Sequence, residues 1–299
     1  MENKRFKLVI ASGKGGVGKS MLASALAMLF AKEKKIVIVD CDVDAPNLAI
    51  WLGGVKDWNT TKSVITSAKP VIDLDKCNGC GLCVENCQFE ALKIINNKAK
   101  LNPFICEGCG VCQIVCPEKA IELEPVQNGQ IRIVQTKYGF PLVSGQLLPG
   151  ETGSGKVVTE IKKEAEAISR GEYDIMIIDS APGTGCPVIA SLQDADLTLL
   201  VTEPTPSGLS DLRRVLEVVN HFKIPYRVVI NKWDINSGLS QKIEKEFMEN
   251  FLGKISYDQA IFKAIANLQP ILETKLKVKT EIEGIFKKIY DQTNQKKIS

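Results

Sequence analysis

The chain is punctuated by apolar runs that do not alternate. FKLVIAS (Phe6 to Ser12) is one, and KKIVIVD ending at Asp40 is the next. Further runs are YDIMIID ending at Asp179, LTLLVTEP (Leu197 to Pro204) and YRVVINKWD (Tyr226 to Asp234). Unbroken apolar runs suit strands covered on both faces, as in parallel sheets. Helical patterns lie between them: MLASALAMLFAKE after the first run, Val157 to Ser169, and Leu209 to Phe222. Near the end, Ile282, Ile285, Phe286, Ile289 and Tyr290 recur at helical spacing. Strands alternating with helices predict an α/β fold, a mostly parallel sheet flanked by helices. The terminal stripe is expected to pack on that sheet; the alternative is an amphipathic helix lying on a membrane.

A cysteine-rich stretch interrupts this rhythm. Of ten cysteines, eight fall between Cys77 and Cys116. IDLDKCNGCGLCVENCQFEALKI is followed by NPFICEGCGVCQIVCPEKAIEL, so Cys77, Cys80, Cys83 and Cys87 recur 29 residues later as Cys106, Cys109, Cys112 and Cys116. Ala91 and Leu92 recur as Ala120 and Ile121. Two such halves are expected to pack as a pseudo-twofold pair. Each reads C-x2-C-x2-C-x3-C, and Gly79, Gly81, Gly108 and Gly110 allow the backbone to wrap closely. Zinc sites normally pair two C-x2-C knuckles rather than repeating a run of four.

The 299 residues suit one large unit and one small. The expected division is a first part of the large domain at 1–58, an inserted cysteine domain at 59–125, and the remainder at 126–299. A formal charge of +3 and 6% aromatics give no footprint for nucleic acid. Neither a secretory opening nor an apolar stretch of membrane-spanning length is present in the sequence, so a cytoplasmic protein is expected, with no membrane partner. In that compartment clustered cysteines point to metal, not disulfides.

GKGGVGKS (Gly13 to Ser20) follows the first strand and opens the first helix, the context of a phosphate-binding loop. Backbone amides of Gly13, Lys14, Gly15, Gly16, Val17 and Gly18 would surround phosphates, with Met21 opening the helix. Lys19 would reach the β- and γ-phosphates, and the Ser20 hydroxyl would ligate Mg²⁺. PGETGSGKV (Pro149 to Val157) nearly repeats the motif, but no apolar strand precedes it and Lys156 lacks a following Ser or Thr. It reads as a surface loop leading into the next helix. Asp40, Asp42 and Asp179 end strands beside the loop, where carboxylates can order Mg²⁺ and its waters; an acidic turn is the plainer reading of Asp40-Cys41-Asp42. Asn231 opens N-K-x-D. His221 ends a helix and suits its dipole.

The second lysine of the loop, Lys14, makes the sequence resemble the deviant Walker A family of MinD, ParA, Mrp and the nitrogenase iron protein, over nearly all of the chain outside 59–125. The resemblance implies that Lys14 crosses a dimer interface to the partner's nucleotide, giving a nucleotide-sandwich homodimer or a heterodimer with a paralogue. It implies catalytic roles for Lys14, Lys19, Asp42 as the water-orienting group, and Asp179 in the Mg²⁺ shell, with Asp40 supporting and Gly183 sensing the γ-phosphate. It also implies ATP rather than GTP, with Asn231 at the adenine. The cysteine region resembles the bacterial dicluster ferredoxins over about residues 70–125. That implies two [4Fe–4S] clusters, one on Cys77, Cys80, Cys83 and Cys116, the other on Cys106, Cys109, Cys112 and Cys87. Gln88 stands where that family usually has Pro. The C-terminal C-x-x-C of Mrp scaffolds is missing. Cys186, seven residues after Asp179, reads either as a metal ligand at the dimer axis or, like Cys41, as a small buried residue.

Four functions fit. The chain could be an ATPase gating electron transfer to a redox partner, or an ATP-dependent iron–sulfur or metallocofactor assembly factor with an acceptor protein. It could also be a positioning switch with a redox sensor. The last is a passive ferredoxin on an inactive NTPase, which the intact Lys14, Lys19, Ser20, Asp42 and Asp179 oppose.

Overall fold

The expected strands form and share one sheet. The computed structural model describes residues 5–55, 57–168 and 172–295. Its strands in chain order are β1 (Phe6–Ser12), β2 (Ile36–Cys41), β3 (Thr60–Val64), β4 (Ser67–Ile72), β5 (Leu92–Ile95), β6 (Lys98–Leu101), β7 (Ile121–Val126), β8 (Gly129–Gln135), β9 (Pro141–Leu147), β10 (Ile175–Pro182), β11 (Leu197–Thr202), β12 (Tyr226–Asn231) and β13 (Phe251–Ile255). The helices are α1 (Lys19–Phe30), α2 (Leu48–Trp51), α3 (Leu82–Glu85), α4 (Val111–Ile114), α5 (Ser154–Ile168), α6 (Cys186–Leu192), α7 (Pro206–His221), α8 (Ser237–Glu246), α9 (Ala260–Ala266) and α10 (Lys277–Gln295). The main sheet runs β13-β12-β11-β1-β10-β2-β9-β8-β3. From β13 to β9 all neighbours are parallel; β8 and β3 continue it antiparallel.

The unbroken runs divide by alternation once folded. Leu8, Ile10, Ile36, Ile38, Ile175 and Ile177 face one helical layer, with Leu22, Leu26 and Phe30 of α1 and Ile282, Ile285 and Ile289 of α10. Val9, Ala11, Val37, Val39, Met176 and Ile178 face the other, with Val157 and Ile161 of α5, Val188 of α6 and Leu212 and Val215 of α7. The terminal stripe is covered inside the fold: Phe286 meets Phe30 edge-on at 4.8 Å between centroids. Among the described residues no helix is long and apolar enough to cross a membrane.

Two helices begin earlier than expected. The helix expected from Leu209 begins at Pro206, because Thr205 accepts the Gly208 amide at 2.9 Å and proline suits the first turn. The helix expected over Val157 to Ser169 begins at Ser154, and Ser169 lies outside the described residues. Lys162 of α5 is buried, and its ammonium donates to the carbonyls of Ala190 (2.9 Å), Ser191 (3.3 Å) and Gln193 (2.6 Å) at the end of α6. Burial pushes this amine's pKa down, which marks a cost those three acceptors offset. Lys162→Met keeps the stem and orphans the carbonyls, so urea denaturation is expected to show a loss of about 1–3 kcal/mol.

The cysteine segment stands apart as a small unit. β3, within the 59–125 span expected for it, pairs with β8 in the main sheet, so the small unit is formed by 67–126. β4 pairs antiparallel with β7, and β5 with β6. The 29-residue repeat holds in the backbone. Asp73 N–H reaches Ala120 O at 2.8 Å, and Asn102 N–H reaches Ala91 O at 2.7 Å. Gly79 and Gly108 have φ of 73° and 65°, Gly81 and Gly110 of 87° and 81°, Glu90 and Lys119 of 52° and 48°. Each half therefore lends its leading strand to the strand that ends the other half.

Candidate functional site

The carboxyl ends of β1, β2 and β10 meet at one edge, with Ile10 opposite Asp179 and Asp179 opposite Asp40 in register. Ligands of open parallel sheets bind there. Gly16 and Gly18 take φ of 76° and 98°, conformations that favour glycine, and the loop wraps into the start of α1. A cleft of about 370 Å³ opens beside it. Its walls include Gly15, Gly16, Gly18, Lys19, Ser20, Met21, Asp42 and Asn231, eight residues singled out from the sequence.

Three other residues of the loop lie outside the lining. Val17 is buried in the core, its carbonyl accepting Asn231 Nδ2 at 2.7 Å. Gly13 packs against the backbone of Asp211 in α7 with no room for a Cβ. Lys14 donates to Glu203 Oε1 at 2.8 Å, while Lys232 holds Glu203 Oε2 at 3.1 Å and Gly16 O at 3.1 Å. Glu203 thus bridges a lysine of the loop and the lysine that follows β12. These hydrogen bonds and charges draw its pKa down against the opposing effect of burial, and raise that of Lys14.

The acids behave differently from one another. Asp40 is consumed locally: Oδ1 accepts Asp42 N–H at 3.2 Å and Oδ2 accepts Leu48 N–H at 3.0 Å, which fixes the loop after β2. Asp42 is nearly buried at the cleft wall, and burial raises its pKa against the pull of Lys19. Asp179 is 1% exposed, and neither carboxylate oxygen makes a hydrogen bond of good geometry. Burial raises its pKa, opposed by Lys19 and then by the Ser20 hydroxyl. Two orphaned acceptors beside Ser20 fit a hydrated Mg²⁺, a hard cation held through oxygen. Gly183 has φ of 93°, and its amide already donates to Ser12 O at 2.9 Å, so its sensing role would require that bond to open.

The rest of the lining, Asn47, Trp51, Lys232, Ser256, Tyr257, Asp258, Ile261 and Phe262, carries no role expected from the sequence. Tyr257 and Phe262 stand 6.4 Å apart between centroids and form an aromatic edge suited to a flat base. Asp234, the residue that would read guanine in N-K-x-D, is not in the lining; its Oδ1 accepts the Tyr257 amide at 2.7 Å.

The cysteines supply a second candidate site. Cys77, Cys80, Cys83 and Cys116 line one cavity, with Gly79, Gly81 and Ile121. The set joins three cysteines of the first run to the last of the second. Among the described residues no three His, Cys, Asp or Glu side chains converge tightly enough for a single metal ion. Four thiols around a cavity instead suit a group of several atoms. Backbone amides point at the sulfurs: Ala91 N–H to Cys87 and Ala120 N–H to Cys116, both 3.3 Å, and Gly108 N–H to Cys106 at 3.4 Å. Such bonds stabilise thiolate charge. Burial raises the pKa of Cys83 and Cys112, and neighbouring cysteines add to it. The outlying pair splits: Cys41 is fully buried, its pKa pushed up to about 12 by burial, whereas Cys186 is exposed and so is not the small buried residue of the plainer reading. His221 ends α7 as expected, edge-on to Phe222.

The family described as CobQ/CobB/MinD/ParA nucleotide binding domain matches residues 8–271. An uncharacterized protein of Methanocaldococcus jannaschii, MJ0578, is 38% identical over 283 residues, covering 95% of this chain and 96% of the relative. An iron-sulfur cluster carrier protein of the same organism is 25% identical over 320 aligned positions, covering 99% and 88%. Among solved structures, the MinC:MinD cell division complex of Aquifex aeolicus gives a TM-score of 0.60 at 20% identity, covering 96% of each chain; at that identity the likeness is one of fold.

Proposed function

From a chain that belongs to the CobQ/CobB/MinD/ParA nucleotide-binding family and has the P-loop ATPase fold, we propose an ATP-hydrolysing carrier of iron–sulfur clusters. The observation that supports this most is the cavity walled by Cys77, Cys80, Cys83 and Cys116, built on a nucleotide-binding scaffold. A relative spanning nearly the whole chain bears the name of cluster carrier. The small unit at 67–126 is the inserted dicluster ferredoxin-like domain, with Cys87 completing the second set of Cys106, Cys109 and Cys112. Its [4Fe–4S] clusters are the cargo.

In the nucleotide cleft the chain's own groups divide the work. Amides of the glycine loop and Lys19 bind the phosphates. Ser20 and Asp179 hold Mg²⁺, which when bound supplies charge to the transferring phosphoryl group. Asp42 orients the attacking water. Asn231, which lines the cleft while its Nδ2 bonds Val17 O, and the Tyr257–Phe262 edge hold the adenine; Asp234 lies outside the lining. Glu203 keeps Lys14 within its own subunit until dimerisation across the nucleotide offers Lys14 a phosphate.

Electron transfer under nucleotide control is the second reading. The duplicated cysteine sites favour it, because a carrier needs one site and an electron path gains from two. A cluster-transfer assay separates them. Anaerobically reconstituted protein is expected to pass iron and sulfide to an apo-ferredoxin about tenfold faster with Mg-ATP than with Mg-ADP, within the usual range of coupling between sites. Iron that stays on the chain under every nucleotide would sink the carrier reading and leave electron transfer.

A further inference from the structure

The PGETGSGKV loop, left aside by the nucleotide site, lies where the small unit meets the scaffold. Lys69 of β4 is 8% exposed, and its ammonium donates to Glu151 Oε1 at 2.7 Å and Gly150 O at 3.3 Å. The phenyl ring of Phe104, just before Cys106, lies against Gly150 so closely that a Cβ there would overlap it. Fully buried Asn128 completes the joint. Its Oδ1 accepts Thr66 N–H at 2.9 Å, and its Nδ2 donates to Thr152 O at 2.7 Å.

The other end of the loop touches the segment that follows β10. A Cβ on Gly155, in the first turn of α5, would come within 3.1 Å of Cys186 Cβ and O. Cys186 opens α6 just past Gly183, whose amide is bonded to the end of β1. A continuous set of contacts therefore runs from the strand end of Asp179 to β4. Within it, Gly150 and Gly153 have φ of 76° and 90°, conformations that favour glycine.

The internal repeat sets this joint apart. The counterpart of Lys69, 29 residues on, is Lys98. Lys98 serves its own unit, donating to Leu74 O at 2.7 Å and Cys77 O at 2.6 Å around the first cysteine run. Symmetry would direct Lys69 to Pro103 and Cys106. Instead it leaves the small unit for the scaffold. The second cysteine run thus lacks the lysine clamp that the first has. Its turn at Gly108 lies directly against Ala68 O, beside Lys69.

We propose that loop 148–153 transmits nucleotide state to the small unit, and that Lys69, paired with Glu151, is the positioning residue fastening it to the half that carries Cys106, Cys109 and Cys112. The inference rests on the carrier reading above for its clusters, but not for its mechanics. A shielded ion pair suits the task because it fixes one registry of two packed parts, and coupling requires an element that both sites bias.

The test uses wild type, Lys69→Met, Lys98→Met and the charge swap Lys69→Glu/Glu151→Lys. Hydrogen exchange is followed without iron, with Mg-ADP or Mg-ATP. ATP is expected to slow exchange about fivefold or more in both 148–153 and 67–72 of wild type, Lys98→Met and the swap, but only in 148–153 of Lys69→Met. After anaerobic reconstitution, dithionite-reduced EPR should show an ATP-dependent change in wild type and the swap that Lys69→Met loses. If 67–72 ignores ATP in wild type, or responds equally in Lys69→Met, the linkage is overturned. Protein that takes up no iron yet shows the expected exchange pattern supports the linkage and overturns the carrier reading alone.

Discussion

Asp179→Asn is expected to lower ATP turnover by about 10²–10³-fold and, in the same protein, to raise the thermal midpoint of the nucleotide-free form. The first effect follows from charge. Asp179 and Ser20 are the groups proposed to hold Mg²⁺, and an amide in place of a carboxylate weakens that grip where charge on the transferring phosphoryl must be met. The second follows from burial. A carboxylate that is 1% exposed with both oxygens orphaned costs free energy until a cation arrives. Its folded pKa is raised by that burial, so the native state keeps a proton that the unfolded chain, at about 3.9, has released. Stability of the nucleotide-free protein should therefore fall as pH rises from the unfolded value through the folded one, and the Asn variant should lack that part of the slope. Mg-ATP should stabilise wild type far more than the variant, by mass action. Calorimetry across pH, with and without Mg-ATP, reads all three effects. Equal stabilisation of both proteins by Mg-ATP would remove Asp179 from the metal shell.

The parts legible in the sequence share one property: their environment is uniform along the segment. β1, β2, β10, β11 and β12 are covered on both faces, so their runs stay apolar. β8 is partly exposed, β3 is almost wholly exposed, and β13 carries Gly253 where α10 presses in, leaving no room for a Cβ. None of these writes a clear period. The phosphate end of the cleft was readable because glycines and a lysine at fixed spacing are demanded by phosphate itself. The base end was not, since Ser256, Tyr257, Ile261 and Phe262 supply a surface whose shape is set only when the segment after β13 folds back. Glu203 could have been found: it is an acid at the end of an apolar run, as Asp40 and Asp179 are, and only the absence of a motif around it hid its hold on Lys14. Cys186 could not have been placed from sequence, because burial of a lone cysteine is decided by the packing of α6 on α5.

The largest effect in the small unit is expected from a pair of single changes that a simpler ligand scheme would predict in reverse. Cys116→Ala should empty the site of the first run, and Cys87→Ala the site of the second. The basis is the cavity in which Cys116 joins Cys77, Cys80 and Cys83 rather than its own neighbours in sequence. The exchange of strands between halves enforces this. Because β4 pairs with β7 and β5 with β6, the segment after each fourth cysteine is drawn to the opposite half. Strand exchange occurs in both halves, so the crossing seen at the first site is expected at the second. Each variant should fall from about eight to about four iron atoms per chain, as four thiolates serve one [4Fe–4S] cluster. Iron content alone does not reveal which site is empty. Combining either change with Cys80→Ala does: with Cys116→Ala the iron should stay near four, because both residues serve one site, whereas with Cys87→Ala it should fall to nearly zero. The opposite result would mean that each run of four closes on itself, and the exchanged strands would then have no bearing on the clusters.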